Sequence, residues 1–410
     1  MTWTEILELI QNGEDSHVEF KRDDITNYDM AKEIVAFLNL DGGVLLLGVE
    51  DDGSISGTSR EKPEEWVIEL CRSKINPPVI PYLSRAKNID ENKQVLVVRV
   101  PVGPNKPYAR VHENRRTYYI RVGSTSREAS QEELERMFQD SGRVHYGLKP
   151  VPGTTLDDLD LRRLKDYLTR VLGGQAPENS NRASWEDLLC NLDLMTRSGE
   201  QSIPTIDGIL LFGKNPRRFL PQSGIRGLAY NGLEADYAAR ADEVLKGALV
   251  LLAGEDGSLM ESGLVEQALA FIQRNTGQTA IIDAGQRIDR PDYPGPVLRE
   301  AIVNALAHRD YSIMGSDITL AIYADRLEIQ SPGRLPNTVT VDGMKAGLRY
   351  ARNQNLVNVM RDYRYVDFRG MGIRHKIIPG MRAHNNTEPG LIAEEYRFTI
   401  RLWKSPRPGA

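Results

Sequence analysis

The sequence has few cysteines and no long apolar run, and these absences limit the class of protein. Only two cysteines occur in 410 residues, Cys71 and Cys190, far apart and without a metal-ligand neighbour. That count excludes a disulfide framework and argues against a zinc finger. The longest apolar stretches, such as 44–49 and 248–253, are far too short to cross a bilayer. The first ten residues carry glutamates where a signal peptide carries Lys or Arg. We therefore expect a protein of the reducing cytoplasm, with no membrane partner.

The chain also lacks an excess of positive charge. Its formal net charge is -5 at pH 7, so its surface as a whole is not suited to wrapping in a nucleic-acid backbone. A local groove needs only its own Lys and Arg residues, so a basic patch is still compatible with this balance. The length of 410 residues predicts two or three domains.

Helical and strand periodicities alternate along the chain and predict an α/β (α+β) fold. A Pro/Gly-rich stretch at 149–155 indicates a linker. We predict four segments: an N-terminal domain at 1–148, a connector at 149–290, a C-terminal α/β sandwich at 291–403 and a tail at 404–410. The predicted helices include 30–40, 238–252 and 296–309, and the predicted strands include 17–21, 44–49 and 208–213.

Acidic residues cluster near the start of the chain. On a strand over 17–21, Glu19 and Lys21 project from the same face. Glu14 lies in the turn before that strand, and Asp51 lies at the end of a second strand. Three carboxylates beside an ammonium group suit Mg²⁺ or Mn²⁺, which prefer oxygen ligands. Such a metal supports phosphodiester hydrolysis by stabilising the transition-state charge and activating water.

A structural reading of the same residues is also open. Exposed strands often alternate Glu and Lys as cross-strand pairs, which accounts for Glu19 and Lys21 without catalysis. The run Asp51-Asp52-Gly53 is also ordinary turn chemistry.

Three ordered motifs bear on this choice: EDSHVEFKR at 14–22, AFLNLDGG at 36–43 and GVEDDG at 48–53, followed by YYIRVGS at 118–124. Together they resemble the Schlafen/AlbA-like domain. The resemblance implies metal binding by Glu14, Glu19 and Asp51, with Lys21 as a further catalytic residue, and cleavage of tRNA or other structured RNA. Active Schlafens pair two such lobes, and only one is present here, so a homo-oligomer is expected. Other bacterial members of the family are described as DNA-binding regulators.

Basic and aromatic residues follow in the same domain. Arg116, Tyr119, Arg121 and Arg127 combine phosphate-binding and base-stacking side chains. A β-hairpin with a solvated basic face explains the same pattern. The resemblance places this segment against nucleic acid, so we expect these four residues to bind RNA or DNA.

The C-terminal half carries a polar stripe on a predicted helix. Glu300, Asn304 and His308 recur at every fourth residue of 296–311 and therefore share one helical face, which is either a ligand site or a solvent face. This segment resembles the N-box of GHKL-type (histidine-kinase-like) ATPases. The stretch at 204–221 resembles a marker of the bacterial regulators that carry the Schlafen/AlbA-like domain.

The GHKL resemblance implies a nucleotide site that also includes Gly333, Gly370 and Gly372. Ser331 stands where active GHKL enzymes carry the aspartate that anchors adenine. A P-loop is excluded because its motif does not occur. ATP is therefore a possible cofactor of this half rather than an assured one.

Three functions follow from these patterns. The first is a divalent-metal-dependent endonuclease, with RNA favoured, in bacterial stress or antiphage defence. The second is a non-catalytic DNA- or RNA-binding transcriptional regulator with a ligand- or ATP-sensing C-terminal domain. The third is an ATP-gated assembly protein.

Overall fold

The computed structural model describes residues 1–87, 93–113, 115–141, 145–283, 286–336, 339–348, 350–366, 372–394 and 396–405. The chain forms two units, Met1–Val144 and His145–Ala410, each with its own hydrophobic core. No helix within the described ranges is both long and apolar enough to span a membrane.

The described residues of the N-terminal unit form four helices and nine strands. The helices are α1 (Trp3–Asn12), α2 (Asn27–Asn39), α3 (Pro63–Lys74) and α4 (Gln131–Asp140). The strands are β1 (Val18–Lys21), β2 (Gly43–Leu47), β3 (Ile75–Asn76), β4 (Tyr82–Lys87), β5 (Gln94–Val100), β6 (Ala109–His112), β7 (Arg115–Thr117), β8 (Tyr119–Val122) and β9 (Thr125–Glu128).

The central sheet of this unit is covered on both faces. Its strand order is β1-β2-β5-β4, with β1 and β2 parallel and the other pairs antiparallel. Val18 and Phe20 pack with α1 on one face, whereas Leu45 and Leu47 pack with α2 and α3 on the other. Alternate residues of β1 therefore enter two different helix-covered layers, because successive side chains on a strand point to opposite faces.

The turn from α2 into β2 depends on Gly42. Its φ of 80° lies in the left-handed region, and a Cβ there would lie 2.7 Å from the carbonyl oxygen of Val100. Both the conformation and the space require glycine.

The C-terminal unit contains nine helices and twelve strands in its described residues. The helices are α5 (Leu161–Asp166), α6 (Arg182–Asn191), α7 (Ile206–Phe212), α8 (Pro216–Phe219), α9 (Leu264–Asn275), α10 (Gly295–His308), α11 (Val341–Ala346), α12 (Gln354–Asp362) and α13 (Ile378–Asn385). The strands are β10 (Met195–Ser198), β11 (Gln201–Pro204), β12 (Ile225–Ala229), β13 (Ala241–Leu245), β14 (Leu252–Ala253), β15 (Leu259–Glu261), β16 (Gln278–Asp283), β17 (Gln286–Pro291), β18 (Ile318–Ile322), β19 (Arg326–Pro332), β20 (Gly390–Ala393) and β21 (Arg397–Trp403).

A six-stranded sheet organises this unit in the order β13-β12-β18-β19-β21-β20. Strands β12 and β18 are parallel, and the other neighbouring pairs are antiparallel. One core cluster extends from Val151 to Leu402. The predicted connector at 149–290 therefore differs from the structure: it supplies β12 and β13 to the same sheet and shares its core.

Two predicted elements have the other secondary structure. The segment at 208–213 was predicted as a strand but belongs to helix α7, which starts where the Thr205 side chain caps the amide of Gly208. The predicted helix at 238–252 contains strand β13, which pairs antiparallel with β12. Pairing with a sheet edge prevailed there over the helix preference of an Ala- and Leu-rich sequence.

Candidate functional site

Glu19 lies in a buried layer of the N-terminal unit. It pairs with Leu45 across β1 and β2, and the residue is only 4% exposed. The Lys21 ammonium donates to its Oε1, and Arg121 Nη2 donates to its Oε2 over 2.5 Å. Burial raises the pKa of Glu19, while the hydrogen bond and charge of Lys21 lower it. Both carboxylate oxygens are thus engaged by cations of the same domain.

Arg121 is a core residue that joins β8 to β1 and α2. Its side chain is 0% exposed. Besides Glu19, the guanidinium donates to the carbonyl oxygens of Asp15 (2.7 Å) and Val18 (3.1 Å), and Nη1 lies 3.4 Å from Glu33 Oε2. The prediction that Arg121 contacts nucleic acid is therefore corrected: its donors are satisfied inside the protein, where a phosphate cannot reach them.

Tyr119 is likewise buried, with 4% of the residue exposed. Its hydroxyl lies 3.3 Å from the hydroxyl of Tyr28. The ring packs in the core with α2 and α3. A direct base-stacking role predicted for Tyr119 does not fit this burial, because no face of the ring is available to a base.

Glu14, Glu19 and Asp51 do not form one metal-binding group in the described part of the chain. Glu14 Oε1 accepts a hydrogen bond from the backbone amide of Phe20 over 2.7 Å, as expected of a turn residue that folds back on β1. Asp51 is exposed in the turn after β2, which closes through a hydrogen bond from the Gly53 amide to the Glu50 carbonyl. In the described parts of the chain, no three His, Cys, Asp or Glu side chains are placed to hold a metal ion.

The predicted Mg²⁺ or Mn²⁺ site at Glu14, Glu19 and Asp51 is therefore not assembled in this structure. Both Glu19 oxygens accept hydrogen bonds from Lys21 and Arg121 instead. Lys21 belongs to the same internal network. Burial disfavours its charge, yet the carboxylates of Glu19, Glu33 and Glu14 raise its pKa.

Glu33 is the member of this network that the sequence interpretation missed. It lies on α2 with 5% of the residue exposed, and its Oε2 accepts from Ser126 Oγ over 2.5 Å. A glutamate within the otherwise apolar side of a predicted helix was the available signal. Such a residue must be paired when it is buried, and Arg121 is its partner.

Two exposed arginines remain on the hairpin formed by β6 and β7. Arg115 and Arg116 are both exposed, and neither forms an ion pair with a described residue. Arg127 on β9 is also at the surface, where it pairs with Glu133 at 2.7 Å. Of the four residues predicted to bind nucleic acid, Arg116 and Arg127 therefore have guanidinium groups accessible to a ligand.

A cavity in the C-terminal unit brings together several predicted nucleotide-binding residues. Its volume is about 910 Å³, including the part open to solvent. Asn304 and His308 line it from α10, Gly333 from the end of β19, and Gly372 from the start of the helical segment Ile373–Ile377. The remaining wall is largely apolar and includes Ile329, Leu348, Phe398 and Ile400.

Glu300 lies beside this cavity, one turn before Asn304. Its carboxylate is 3.2 Å from Lys376 Nζ, and Asn304 Nδ2 donates to it over 3.4 Å. A Cβ at Gly372 would overlap the Glu300 side chain, so the close approach needs glycine. Ser331 Oγ donates to the Ala305 carbonyl over 3.0 Å and leaves no carboxylate at that position. Gly370 lies outside the described residues.

His308 is held in its neutral form at this cavity. Burial, together with the charge of Arg352, lowers the pKa of His308 to about 4. At neutral pH the imidazole therefore offers one donor and one acceptor nitrogen. The predicted polar face of α10 is thus a cavity wall with hydrogen-bonding groups and not a solvated surface.

Three parts of the chain match models of protein families. Residues 14–130 match the family model described as Schlafen, AlbA_2. The N-terminal unit is a Schlafen AlbA_2 domain. Residues 315–402 match the model described as putative ATP-dependent DNA helicase recG C-terminal, and residues 135–225 match a domain of unknown function. The C-terminal unit therefore contains a recG C-terminal-like domain downstream of the Schlafen AlbA_2 domain.

The chain is also similar to two solved structures. The DIP2311 protein from Corynebacterium diphtheriae is 20% identical, with 99% of this chain and 80% of that chain covered and a TM-score of 0.45. The N-terminal domain of a putative ATP-dependent DNA helicase RecG-related protein from Nitrosomonas europaea is 26% identical, with 32% of this chain and 94% of that chain covered and a TM-score of 0.25. No curated protein matches the sequence.

Proposed function

We propose that this chain is a nucleic-acid-binding regulator whose Schlafen AlbA_2 domain binds RNA or DNA without a preformed metal site. The domain match supports nucleic-acid binding. The observation that favours binding over hydrolysis is the engagement of both Glu19 oxygens by Lys21 and Arg121. This network stabilises the domain and leaves the phosphate-binding role to surface cations.

The surface cations of the proposed interface are Arg115 and Arg116. Two adjacent guanidinium groups that lack an ion pair with the described residues lose little by pairing with phosphates instead. Each phosphate contact releases counterions, so binding through them weakens as the salt concentration rises. Arg127 is a weaker candidate because a phosphate must compete with Glu133 for its guanidinium.

Fluorescence anisotropy of labelled single-stranded RNA and duplex DNA with the full chain tests this proposal. We expect binding that EDTA does not change. The double substitution Arg115→Ala/Arg116→Ala should weaken it and reduce the slope of log K against log salt by roughly 1.4–1.8. Lys165→Ala on α5, also an exposed cation, is the matched control and should leave binding unchanged.

The endonuclease predicted from the sequence is the opposing outcome of the same experiment. Adding Mn²⁺ and analysing the RNA on a gel measures cleavage directly. Cleavage that EDTA abolishes, and that Glu14→Ala/Glu19→Ala removes while the variant stays folded, would overturn the non-catalytic proposal. Failure of the wild-type chain to bind either RNA or DNA would overturn nucleic-acid binding itself.

A second function is favoured by the cavity of the C-terminal unit, which we propose binds a small ligand of the nucleotide class. Its apolar walls suit a planar base, and Asn304 and His308 present hydrogen-bonding groups at one side. Because Ser331 replaces the expected aspartate, an adenine would lack its usual carboxylate partner. Adenine nucleotides are nevertheless the first ligands to test, since Asn304, Gly333 and Gly372 line the same cavity.

Isothermal titration calorimetry with ATP–Mg²⁺, and with ADP and GTP, measures this binding. We expect saturable heat from the wild-type chain and an affinity at least about tenfold weaker for Asn304→Ala, equal to about 1.4 kcal/mol. The control Asn358→Ala, on the exposed side of α12, should bind as the wild type does. Equal affinity of both variants would show that nucleotides bind elsewhere.

A further inference from the structure

Arg110 on β6 is a buried cation with unsatisfied donors. The residue is 6% exposed, and its Nε and Nη1 atoms are buried without a hydrogen-bond partner among the described residues. Its guanidinium carbon lies 3.3 Å from the centroid of the Tyr28 ring and 5.1 Å from that of Tyr119. The cation is therefore held by two aromatic rings, and no described carboxylate forms an ion pair with it.

Burying the unpaired donors of Arg110 lowers the stability of the domain. A buried donor without a partner loses its hydration, and an uncompensated buried charge loses more. Contact with the ring faces of Tyr28 and Tyr119 offsets part of that loss, because a guanidinium is attracted to the negative face of an aromatic ring. Unsatisfied buried groups are rare in native proteins and call for a specific explanation.

Tyr28 forms the outer side of the stack. It lies in the first turn of α2 with 47% of the residue exposed, although tyrosine rings usually bury much of their surface. One side of its ring faces Arg110, and its hydroxyl lies 3.3 Å from that of Tyr119. Within the described parts of the chain, no second ring or cation stacks on it. The ring is thus fixed in place while part of its surface stays open to solvent.

The side of the β6–β7 hairpin that carries Arg110 also carries two exposed residues, His112 and Arg115. Arg110 pairs with Thr117 across β6 and β7, and His112 pairs with Arg115 in the next position on the same face. Residues two apart on a strand are separated by roughly 7 Å. His112 and Arg115 are exposed, so the face that carries Arg110 under Tyr28 goes on to present imidazole and guanidinium groups to solvent.

We propose that Tyr28, supported from beneath by Arg110, is a base-stacking platform for single-stranded nucleic acid, with Arg115 and His112 contacting the adjacent backbone. This inference rests on the proposed nucleic-acid binding and names its substrate class. An exposed ring beside cations is the combination that binds unpaired strands, because every unpaired base has an open face. A duplex keeps its bases stacked on one another and offers no such face. The Arg110 charge beneath the ring strengthens the platform by fixing its orientation.

The test uses the full chain and single-stranded 12-mers of DNA and RNA that contain 2-aminopurine, whose fluorescence is quenched when the base stacks. We expect quenching and saturable binding with the wild type and with Tyr28→Phe, which keeps the ring. Tyr28→Ala should lose the quenching and bind about 5- to 150-fold more weakly, the range that base–aromatic stacking supplies. Tyr82→Ala is the matched control, because Tyr82 is 71% exposed on β4 of the same unit and no arginine of the described ranges stacks on it.

The outcomes separate this inference from the proposed function. If the wild type binds single strands through Arg115 and Arg116 while Tyr28→Ala keeps both affinity and quenching, the platform is disproved and nucleic-acid binding stands. Equal losses in Tyr28→Ala and Tyr82→Ala, or equal affinity for a duplex and a single strand, also count against the platform. If the wild type binds no nucleic acid, both proposals fail. Thermal melting of each variant shows whether a loss of binding reflects unfolding.

Discussion

Arg121 donates a hydrogen bond to Glu19 over 2.5 Å, and both side chains are buried in the Schlafen AlbA_2 domain. The pair joins strands that are about a hundred residues apart in the chain. The same glutamate also accepts from Lys21. A residue that the motif suggests as a metal ligand therefore acts in this structure as the counterion of an internal cationic pair.

The first prediction concerns the stability that this pair contributes. Glu19→Gln removes the carboxylate that pairs with both Arg121 and Lys21, and Glu33 stays as the remaining carboxylate beside the buried Arg121. We therefore expect the free energy of unfolding to fall by about 3 kcal/mol, the lower end of the cost of breaking a buried ion pair. Urea denaturation followed by circular dichroism measures the loss. The control is Asp24→Asn, which removes an exposed ion pair with Arg22 and should cost less than about 1 kcal/mol. A variant at Glu19 as stable as the wild type would contradict the structural role.

The second prediction concerns Asp207, which is 2% exposed in helix α7 and has an unsatisfied Oδ1 atom. Burial raises the pKa of Asp207 to about 7, although a hydrogen bond from Asn355 lowers it. The folded state thus keeps a proton that the unfolded chain releases near pH 4. The stability that the Asp207 carboxyl group contributes is complete below about pH 4 and is lost as the pH rises from there through about 7.

Asp207→Asn should therefore stabilise the protein above neutral pH. The amide resembles the protonated acid and needs no ionisation, so we expect a gain of about 2–4 kcal/mol at pH 8 relative to the wild type, and little difference at pH 4. Melting temperatures of both proteins between pH 4 and 8 measure the divergence. Parallel curves would show that Asp207 ionises normally in the folded protein.

The third prediction concerns His308, whose shift has the opposite consequence. Burial and the charge of Arg352 lower the pKa of His308 to about 4. Between about pH 4 and 6.5 the imidazole is therefore protonated in the unfolded chain but neutral in the folded one. Stability from this group is present above about pH 6.5 and is lost as the pH falls from 6.5 towards 4, by about 1–3 kcal/mol. His308→Asn should lose less stability over that interval. Nuclear magnetic resonance titration of the imidazole checks the pKa directly, and an ordinary value near 6.5 would contradict the burial argument.

The fourth prediction concerns the contact between Gly372 and Glu300. Gly372→Ala places a methyl group where the Glu300 carboxylate lies, so one of them must move at a cost of about 1–3 kcal/mol. The shift should also weaken any ligand bound beside Asn304. Gly295→Ala is the matched control, because a Cβ at the first position of α10 meets no atom within 4 Å. Equal melting temperatures for the two variants would show that the Gly372 contact is not tight.

Sequence reasoning succeeded where a local period decides which side chains share a face. Glu19 and Lys21 do lie on one side of β1, and Asn304 and His308 do line one cavity from α10. The burial of Glu19 could not be read locally, because it depends on α2 lying over that face of the sheet. The carboxylate became an internal counterion for the same reason, since its partner Arg121 lies a hundred residues further along.

The two misassigned elements failed for a related reason. All seven residues of α7 are buried, Asp207 among them, so the helix has no solvent-facing side and its mostly apolar sequence resembles that of a buried strand. In β13 the local preference was helical, but Ala241 to Leu245 form the edge of the six-stranded sheet. Both cases were decided by packing partners distant in the chain.

The sheet of the Schlafen AlbA_2 domain has helices over both faces of its described strands, and this limits how a polynucleotide can be read. Proteins that spread bases across an open sheet need one bare β-surface for the purpose. The interface proposed above therefore uses hairpins and helix ends at the periphery, such as β6–β7 and the first turn of α2. Within β6–β7 the exposed residues His112, Arg115 and Arg116 can be replaced without disturbing the interior, whereas the buried Arg110 and Thr117 fix the hairpin to the domain.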